Sequence, residues 1–220
     1  MGRWEEERHE KILFSVPPAS FLCSFFRCWF GHVSVVRLLL KVPHVDIIIG
    51  DNDGCTPLWW ASSYGHHKVI EWLIASGRDL GDTMNKKGRN FFFLDGIGYT
   101  PLEVARKRKH PEVVSLLERY TIAQAQTRYE LRVKLGVLDE LAVEVFALTV
   151  FLCDELVQLE AAPTTNSAAG RFFTLACKLP LELQMMLCHR AVGSMKENIL
   201  HKDSEAAFKS LTKSLLLQLE

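Results

Sequence analysis

The stretch Asp51 to Ser76, DNDGCTPLWWASSYGHHKVIEWLIAS, decides how the chain folds. Gly54, Thr56, Pro57 and Leu58 form a turn that leads into a short helix ending at Tyr64. Thr56 can cap that helix with its hydroxyl, and Pro57 suits the first helical position, where a missing N–H costs nothing. Gly65 then permits the left-handed backbone that closes a helix. His66 opens a second helix, on which Val69, Ile70, Leu73 and Ile74 form one buried stripe. A turn and two helices make the unit, and so small a unit cannot bury its own apolar face.

The sequence supplies the neighbours this requires. Gly31-His32-Val33-Ser34-Val35-Val36-Arg37-Leu38-Leu39-Leu40 repeats the second-helix pattern 34 residues before Gly65-His66. Thr100-Pro101-Leu102-Glu103-Val104-Ala105 repeats the first helix 44 residues after Thr56, and Val113, Val114 and Leu117 repeat the second. The extra length is an insertion in the 82–98 segment. His32, His66 and His110 recur at the start of each second helix, and such recurrence marks them as structural.

These residues resemble the ankyrin repeat, a unit of roughly 33 residues with the pattern T-P-L-H-x-A. The resemblance implies an all-α solenoid of helix-turn-helix units with short hairpin turns. It also implies a protein–protein interaction module whose partner lies against the concave side formed by hairpin tips and inner helices. Carried over position by position, that face comprises Asn52, Asp53, Cys55, Ser63 and Tyr64 in the second repeat and Ile97, Tyr99, Lys107 and Arg108 in the third. This is a mixed surface with two tyrosines, suited to recognition by aromatic anchors. Two departures matter. Trp59 stands where the family has a histidine that joins a hydrogen-bond network with the threonine, so it must be accommodated differently, and Trp60 adds bulk beside it. Lys109 stands where the second repeat has Gly65, which weakens that turn without removing it.

Composition narrows the function. Among 220 residues, 26 basic side chains balance 26 acidic ones, which argues against a polyanion-binding surface spread over the molecule. Six cysteines without a C-x-x-C pair read as reduced, buried thiols of an intracellular protein, and Cys188-His189 lacks the second ligand pair that zinc needs. The longest apolar run, Ala19 to Phe30, is too short to span a membrane and contains Arg27. The opening MGRWEEERHEK lacks the pattern of a secretory signal, and Glu6 occupies the position where myristoylation requires Ser or Thr. There is no phosphate-binding loop, dinucleotide fingerprint, H-E-x-x-H or G-x-S-x-G. The expectation is a monomeric cytoplasmic protein that is not an enzyme, holds no cofactor or metal and binds a protein rather than nucleic acid or membrane. The basic run Arg106-Lys107-Arg108-Lys109 makes the nucleus the alternative compartment, although four polar residues at the end of an inner helix also read as a solvated face.

Along the chain, 1–18 reads as an N-terminal tail without regular structure and 19–120 as the repeats. In the degenerate first repeat, Leu22-Cys23 replaces Thr-Pro, and Phe21, Phe25, Phe26, Trp29 and Phe30 make it unusually apolar. Phe91-Phe92-Phe93-Leu94, inside the insertion, is expected to fold back onto the repeats. Residues 121–220 read as an all-α region that caps the third repeat as a C-terminal helical bundle, and they resemble the helical tails of uncharacterised fungal ankyrin proteins. Val133, Leu135, Leu138, Leu141, Val145, Leu148, Leu152, Leu156 and Leu159 give a long apolar face on one helix or two, a linker follows at 161–170, and a last helix starts near Ser204. Between them, Leu179-Pro180-Leu181-Glu182-Leu183-x-x-x-Leu187 resembles the opening of an F-box. That resemblance implies the alternative function, a substrate adaptor of a cullin-type ubiquitin ligase through 179–187. The preferred expectation is a structural helix that buries Leu183 and Leu187 against Phe172 and Leu211.

Overall fold

A computed structural model describes residues 31–42, 45–78, 80, 84–85, 87–88, 98–154, 156 and 168–216, except the side chains of 214–216. The first helix of the first repeat, the tail 1–18, Phe91–Leu94 and most of the linker fall outside these residues. The chain divides into two compact units, Met1–Leu131 and Arg132–Glu220.

The first unit holds α1 (Val33–Lys41), α2 (Pro57–Ser63), α3 (His67–Ala75), α4 (Pro101–Lys107), α5 (Pro111–Ile122) and α6 (Gln124–Lys134), whose last turn crosses the division. The inner helices pack on one another, α2 against α4, and the outer ones pack in register, α1 on α3 and α3 on α5. The caps follow the sequence. Thr56 Oγ1 accepts from Trp59 N at 3.2 Å, and Thr100 forms a reciprocal capping box with Glu103. Val69, Ile70, Leu73 and Ile74 are buried as the stripe requires. Their burial supplies the main stabilisation, on the order of 1.5–3 kcal/mol per side chain.

Both inner helices end in the same way. Gly65 takes φ +73° while His66 N–H reaches Ala61 O at 2.9 Å, and Lys109 takes φ 60° while His110 N–H reaches Ala105 O at 3.0 Å. Each is a Schellman closure, with the residue past the helix end held left-handed. The histidines then join successive repeats. A Cβ on Gly31 would lie 2.7 Å from His66 Nδ1, and one on Gly65 would lie 2.6 Å from His110 Nδ1. Each ring therefore rests on the bare backbone of the preceding repeat, and His110 Nε2 also meets Ser63 O at 3.0 Å. Arg78 adds a second link by donating to the carbonyls of Leu40, Val42 and Val45 at the end of α1.

The second unit holds α7 (Val137–Cys153), α8 (Ala168–Ala176), α9 (Leu181–Val192) and α10 (His201–Leu216). Helix α7 is central and packs on α9, α10 and α8. The long apolar face is two helices, separated at Gly136 with φ +71°. Of the expected face only Leu138 is fully buried among the described residues of α7, and burial otherwise falls on other positions. Leu138, Ala142, Phe146, Ala147 and Thr149 are buried, Leu141, Val145, Leu148 and Leu152 are half-buried, and Val133 is exposed. The small side chains of Ala142 and Ala147 are among the buried ones, so the buried side of α7 is not the leucine stripe.

Three expectations are corrected here. Ala168, Ala169 and Gly170 belong to α8 and not to a linker. The last helix begins at His201, and Ser204 lies inside it, its hydroxyl donating to His201 O at 2.9 Å. Leu183 is 45% exposed and Leu187 half-buried, because α9 turns Gln184, Cys188 and His189 inward instead. Gln184 and His189 have internal hydrogen-bond partners, which offset the cost of burying them.

Candidate interaction face

At the second repeat the face starts from a turn. Asp51 O accepts from Gly54 N at 2.9 Å, and the Asp51 carboxylate accepts from Cys55 N at 2.7 Å, Asp53 N at 3.0 Å and Trp60 Nε1 at 3.1 Å. Burial nevertheless pushes the Asp51 carboxyl above the usual carboxylate range, outweighing those donors. Asn52 and Asp53 stand exposed at the tip of the turn.

Behind the turn lies a cluster of Cys55, Trp59, Trp60 and Val104, with Tyr64 and Tyr99 packed against it. Trp60 stacks on Tyr64 with centroids 5.9 Å apart, and Tyr64 stacks on His66 at 6.2 Å. Trp59 is fully buried and donates its indole N–H to Tyr99 O at 2.7 Å. A tryptophan in the histidine position is thus accommodated by a bond to the next repeat. The bond reaches Tyr99 because Gly88 and Tyr99 pair as an antiparallel bridge that closes the insertion. Gly88 itself has no room for a side chain, since a Cβ would lie 2.6 Å from Cys55 Sγ. Lys107 donates to Tyr99 Oη and also lies over that ring, 4.1 Å from its centroid.

Of the residues carried over from the family pattern, the structure gathers Tyr64, Tyr99 and Lys107 around one aromatic cluster and leaves Asn52, Asp53 and Lys107 exposed. Arg108 is half-buried. Cys55 and Ser63 are 0% and 1% exposed, so neither offers its side chain to a partner. Burial, and then the charges of Asp51 and Asp53, push the Cys55 thiol above its ordinary range. Ile97 lies outside the described residues. Both tyrosines are half-buried, which makes them part of the fold as well as of the face. Trp60 was missed as a support of the face. Its signal was adjacency to Trp59, since two tryptophans four and five residues before Tyr64 put one of them on the tyrosine's side of the helix.

Among the described residues no group of three or more His, Cys, Asp or Glu side chains is placed to hold a metal ion, and no helix is long and apolar enough to cross a membrane.

Stacked helix pairs joined by inter-repeat contacts define a helical repeat solenoid. Residues 28–127 match the family model of ankyrin repeats in three copies, and the chain carries an ankyrin-repeat array. Such an array indicates a protein–protein interaction module. The chain is 33% identical over 90 residues to the Ankyrin repeat domain-containing protein 63 of Homo sapiens, a stretch covering 41% of this chain and 22% of that protein. It is 29% identical over 126 residues to the SMC5-SMC6 complex localization factor protein 1 of Bos taurus, covering 56% of this chain and 11% of that protein. It is also 27% identical over 63 residues to Rabankyrin-5 of Mus musculus, covering 29% and 5%. The matches thus span less than a quarter of each of these relatives.

Proposed function

We propose that the array binds a protein partner on the face formed by the Asn52–Asp53 turn and the Tyr64, Tyr99 and Lys107 side chains. The carrying observation is the aromatic cluster whose outer members, Tyr64 and Tyr99, are half-exposed beside the exposed cation of Lys107. Aromatic anchors with large, rigid contact area and a rim of opposite charges, Asp53 and Lys107, favour a peptide or protein surface carrying both signs. The role is a scaffold or adaptor without chemistry of its own, and the compartment we assign is the cytoplasm.

Because the tyrosines also support the core, the test uses the exposed rim. Asp53→Lys combined with Lys107→Glu should abolish capture of the partner by the intact chain while leaving its melting temperature within a few degrees. Lys68→Glu combined with Arg119→Glu, exposed on the outer helices, should leave capture intact. Loss of capture only in the second pair would place binding on the outer helices and overturn this reading.

A second reading, a substrate adaptor of a cullin-type ligase, is favoured by the exposure of Leu181 and Leu183, 53% and 45%, just after Pro180. It requires co-purification of a Skp-type protein with the intact chain, lost on Leu183→Asp. Failure to recover one, with the array's partner still bound, leaves the scaffold role standing alone.

A further inference from the structure

Helices α9 and α10 are joined by residues 193–200, which form neither helix nor strand. Ser194 is the one buried residue among them, while Met195, Lys196, Glu197, Asn198 and Leu200 are exposed. Apolar burial therefore does little to hold this segment, and its attachments are polar. His189, 1% exposed near the end of α9, supplies two of them: its Nδ1 lies 3.2 Å from Ser194 Oγ and its Nε2 lies 3.3 Å from Asn198 O. Ser194 Oγ in turn donates to Asp139 Oδ1 of α7 at 2.6 Å and accepts from Lys196 N at 3.3 Å.

The protons available at these atoms fix the state of the ring. Asn198 O is a carbonyl and can only accept, so Nε2 carries a proton. Ser194 has a single hydroxyl proton, and it lies on the bond to Asp139, a carboxylate whose other oxygen is 2.7 Å from the Lys196 ammonium. The Ser194 oxygen thus turns a lone pair to Nδ1, and Nδ1 must donate as well. A neutral ring meets only part of this demand. With a proton on Nε2 alone, either Nδ1 faces the Ser194 lone pair or the hydroxyl turns to the ring and leaves the carboxylate without its donor; with a proton on Nδ1 alone, Nε2 faces the Asn198 carbonyl. Both nitrogens donate only in the imidazolium. The charged groups around it are Asp139 from α7, Lys196, and Arg190, which reaches Ser194 O at 3.3 Å and Glu197 at 3.7 Å. Of these, Asp139 is joined to the ring through Ser194 and balances its charge.

We propose that His189 is a proton-operated latch, whose doubly protonated ring fastens the 193–200 segment to α7 and releases it on losing a proton. The second proton makes a bond in the folded unit that it lacks in the unfolded chain, so the latch is closed at lower pH and opens as pH rises through the titration of the ring. Release is confined to the segment. Helix α10 packs on α7 independently of the latch, with Phe208 against Phe146 and Phe151 at centroid distances of 6.4 and 5.7 Å. Opening therefore frees Ser194 and the chain around it while the helices stay in place.

The test is nuclear magnetic resonance of the full chain, following the ring nitrogens of His189 and the backbone amides of 194–199 across pH. Below the midpoint of the ring, both nitrogens should show the shifts of a protonated imidazole, and the heteronuclear NOE of 194–199 should match that of α7. Above it, the NOE of 194–199 should fall well below that of α7, while α7 and α9 keep theirs. His189→Gln, which has no proton to lose, should abolish this response. A ring that holds one proton, or two, throughout the range in which the unit stays folded overturns the proposal, and so does loss of the proton with the order of 194–199 unchanged. A response that survives His189→Gln overturns the assignment to this ring; if that variant does not fold, the wild-type titration decides alone.

Discussion

One histidine in each unit shows how differently the two are held together. His110 sits on Gly65 and meets Ser63 O, both one repeat earlier, and His66 sits on Gly31 in the same way. His189 is buried in the second unit, with Nδ1 3.2 Å from Ser194 Oγ, and that hydroxyl donates to Asp139 Oδ1 at 2.6 Å. Asp139 is 55 positions away, and Lys196 pairs with its other oxygen at 2.7 Å. In the repeats a contact recurs because the sequence recurs. In the helical unit this polar network links the end of α9 to α7 beside the Cys188–Thr149 and Gln184–Cys153 contacts, and it is not repeated among the described residues. Periodic packing is therefore readable in the sequence, whereas the bundle adds to its apolar core specific bonds that no period announces.

The comparison breaks most directly at the largest buried side chain. Trp59→Ala empties the centre of the aromatic cluster and removes one of the two donors to Tyr99 O, the other being Gly88 N, and it should cost about 3–5 kcal/mol in denaturant unfolding. Leu183→Asp, at an exposed position of α9, should change stability by no more than about 0.5 kcal/mol. Comparable losses in both variants would mean that α9 buries the leucine in solution and that the two units are not held so differently.

Two left-handed glycines isolate the contact between repeats. Gly65 and Gly136 have nearly the same φ, +73° and +71°, but a Cβ at Gly136 meets nothing within 4 Å. Gly136→Ala should cost the backbone strain alone, about 1 kcal/mol, while Gly65→Ala should cost about 2–3 kcal/mol because it also displaces the His110 ring. Equal costs would show that the histidine gives way freely.

The polar network predicts a difference in acid. Partial burial raises the Asp139 carboxyl, but the Lys196 ammonium and the Ser194 hydroxyl outweigh it and hold the group below the usual carboxylate range. Its contribution is therefore present above the unfolded value, roughly 3.9, and lost as pH falls from there through the folded one. Asp51, raised by burial, has the opposite sign, since the folded repeat binds its proton first and gains relative stability on acidification. Ser194→Ala should cost about 1–2 kcal/mol at neutral pH. Asp139→Asn should lessen the acid sensitivity of the second unit, whereas Asp51→Asn should not; the reverse ranking in acid titrations followed by circular dichroism would refute the assignment.

What was legible in the sequence follows the same line. Thr56, Pro57, Gly65 and the stripe from Val69 to Ile74 stand where their chemistry requires, because each answers a local demand of cap, turn or amphipathic face. The face residues were less so. Cys55 and Ser63 occupy pattern positions that the cluster of Trp59 and Trp60 buries, and the Trp59 bond to Tyr99 depends on where an insertion closes, at Gly88, which no local rule announces. In the second unit, leucine spacing predicts helices but not their buried side, which takes in Ala142, Ala147 and Thr149 as well.

Lys109 marks where the periodic rule stops, and the smallest prediction rests on it. It holds the same left-handed position as Gly65, with the same closing bonds, yet its side chain is exposed. At Gly65 the next histidine forbids a Cβ. At Lys109 the chain continues through α5 into α6, where Thr127 bonds Arg119 O and Arg128 bonds Tyr120 Oη, and no further Gly-His pair follows in the sequence. A side chain is thus admitted there, at the cost of left-handed strain on a residue with a Cβ, about 1–2 kcal/mol. Replacement by glycine relieves that strain but loosens the unfolded chain by roughly 0.5–1 kcal/mol. Lys109→Gly should therefore stabilise the protein by about 0.5–1 kcal/mol, a rise of a few degrees in melting temperature. A destabilised variant would show that the lysine side chain makes a contact worth more than the strain it imposes, and the last repeat would then be closed by that contact and not by backbone geometry alone.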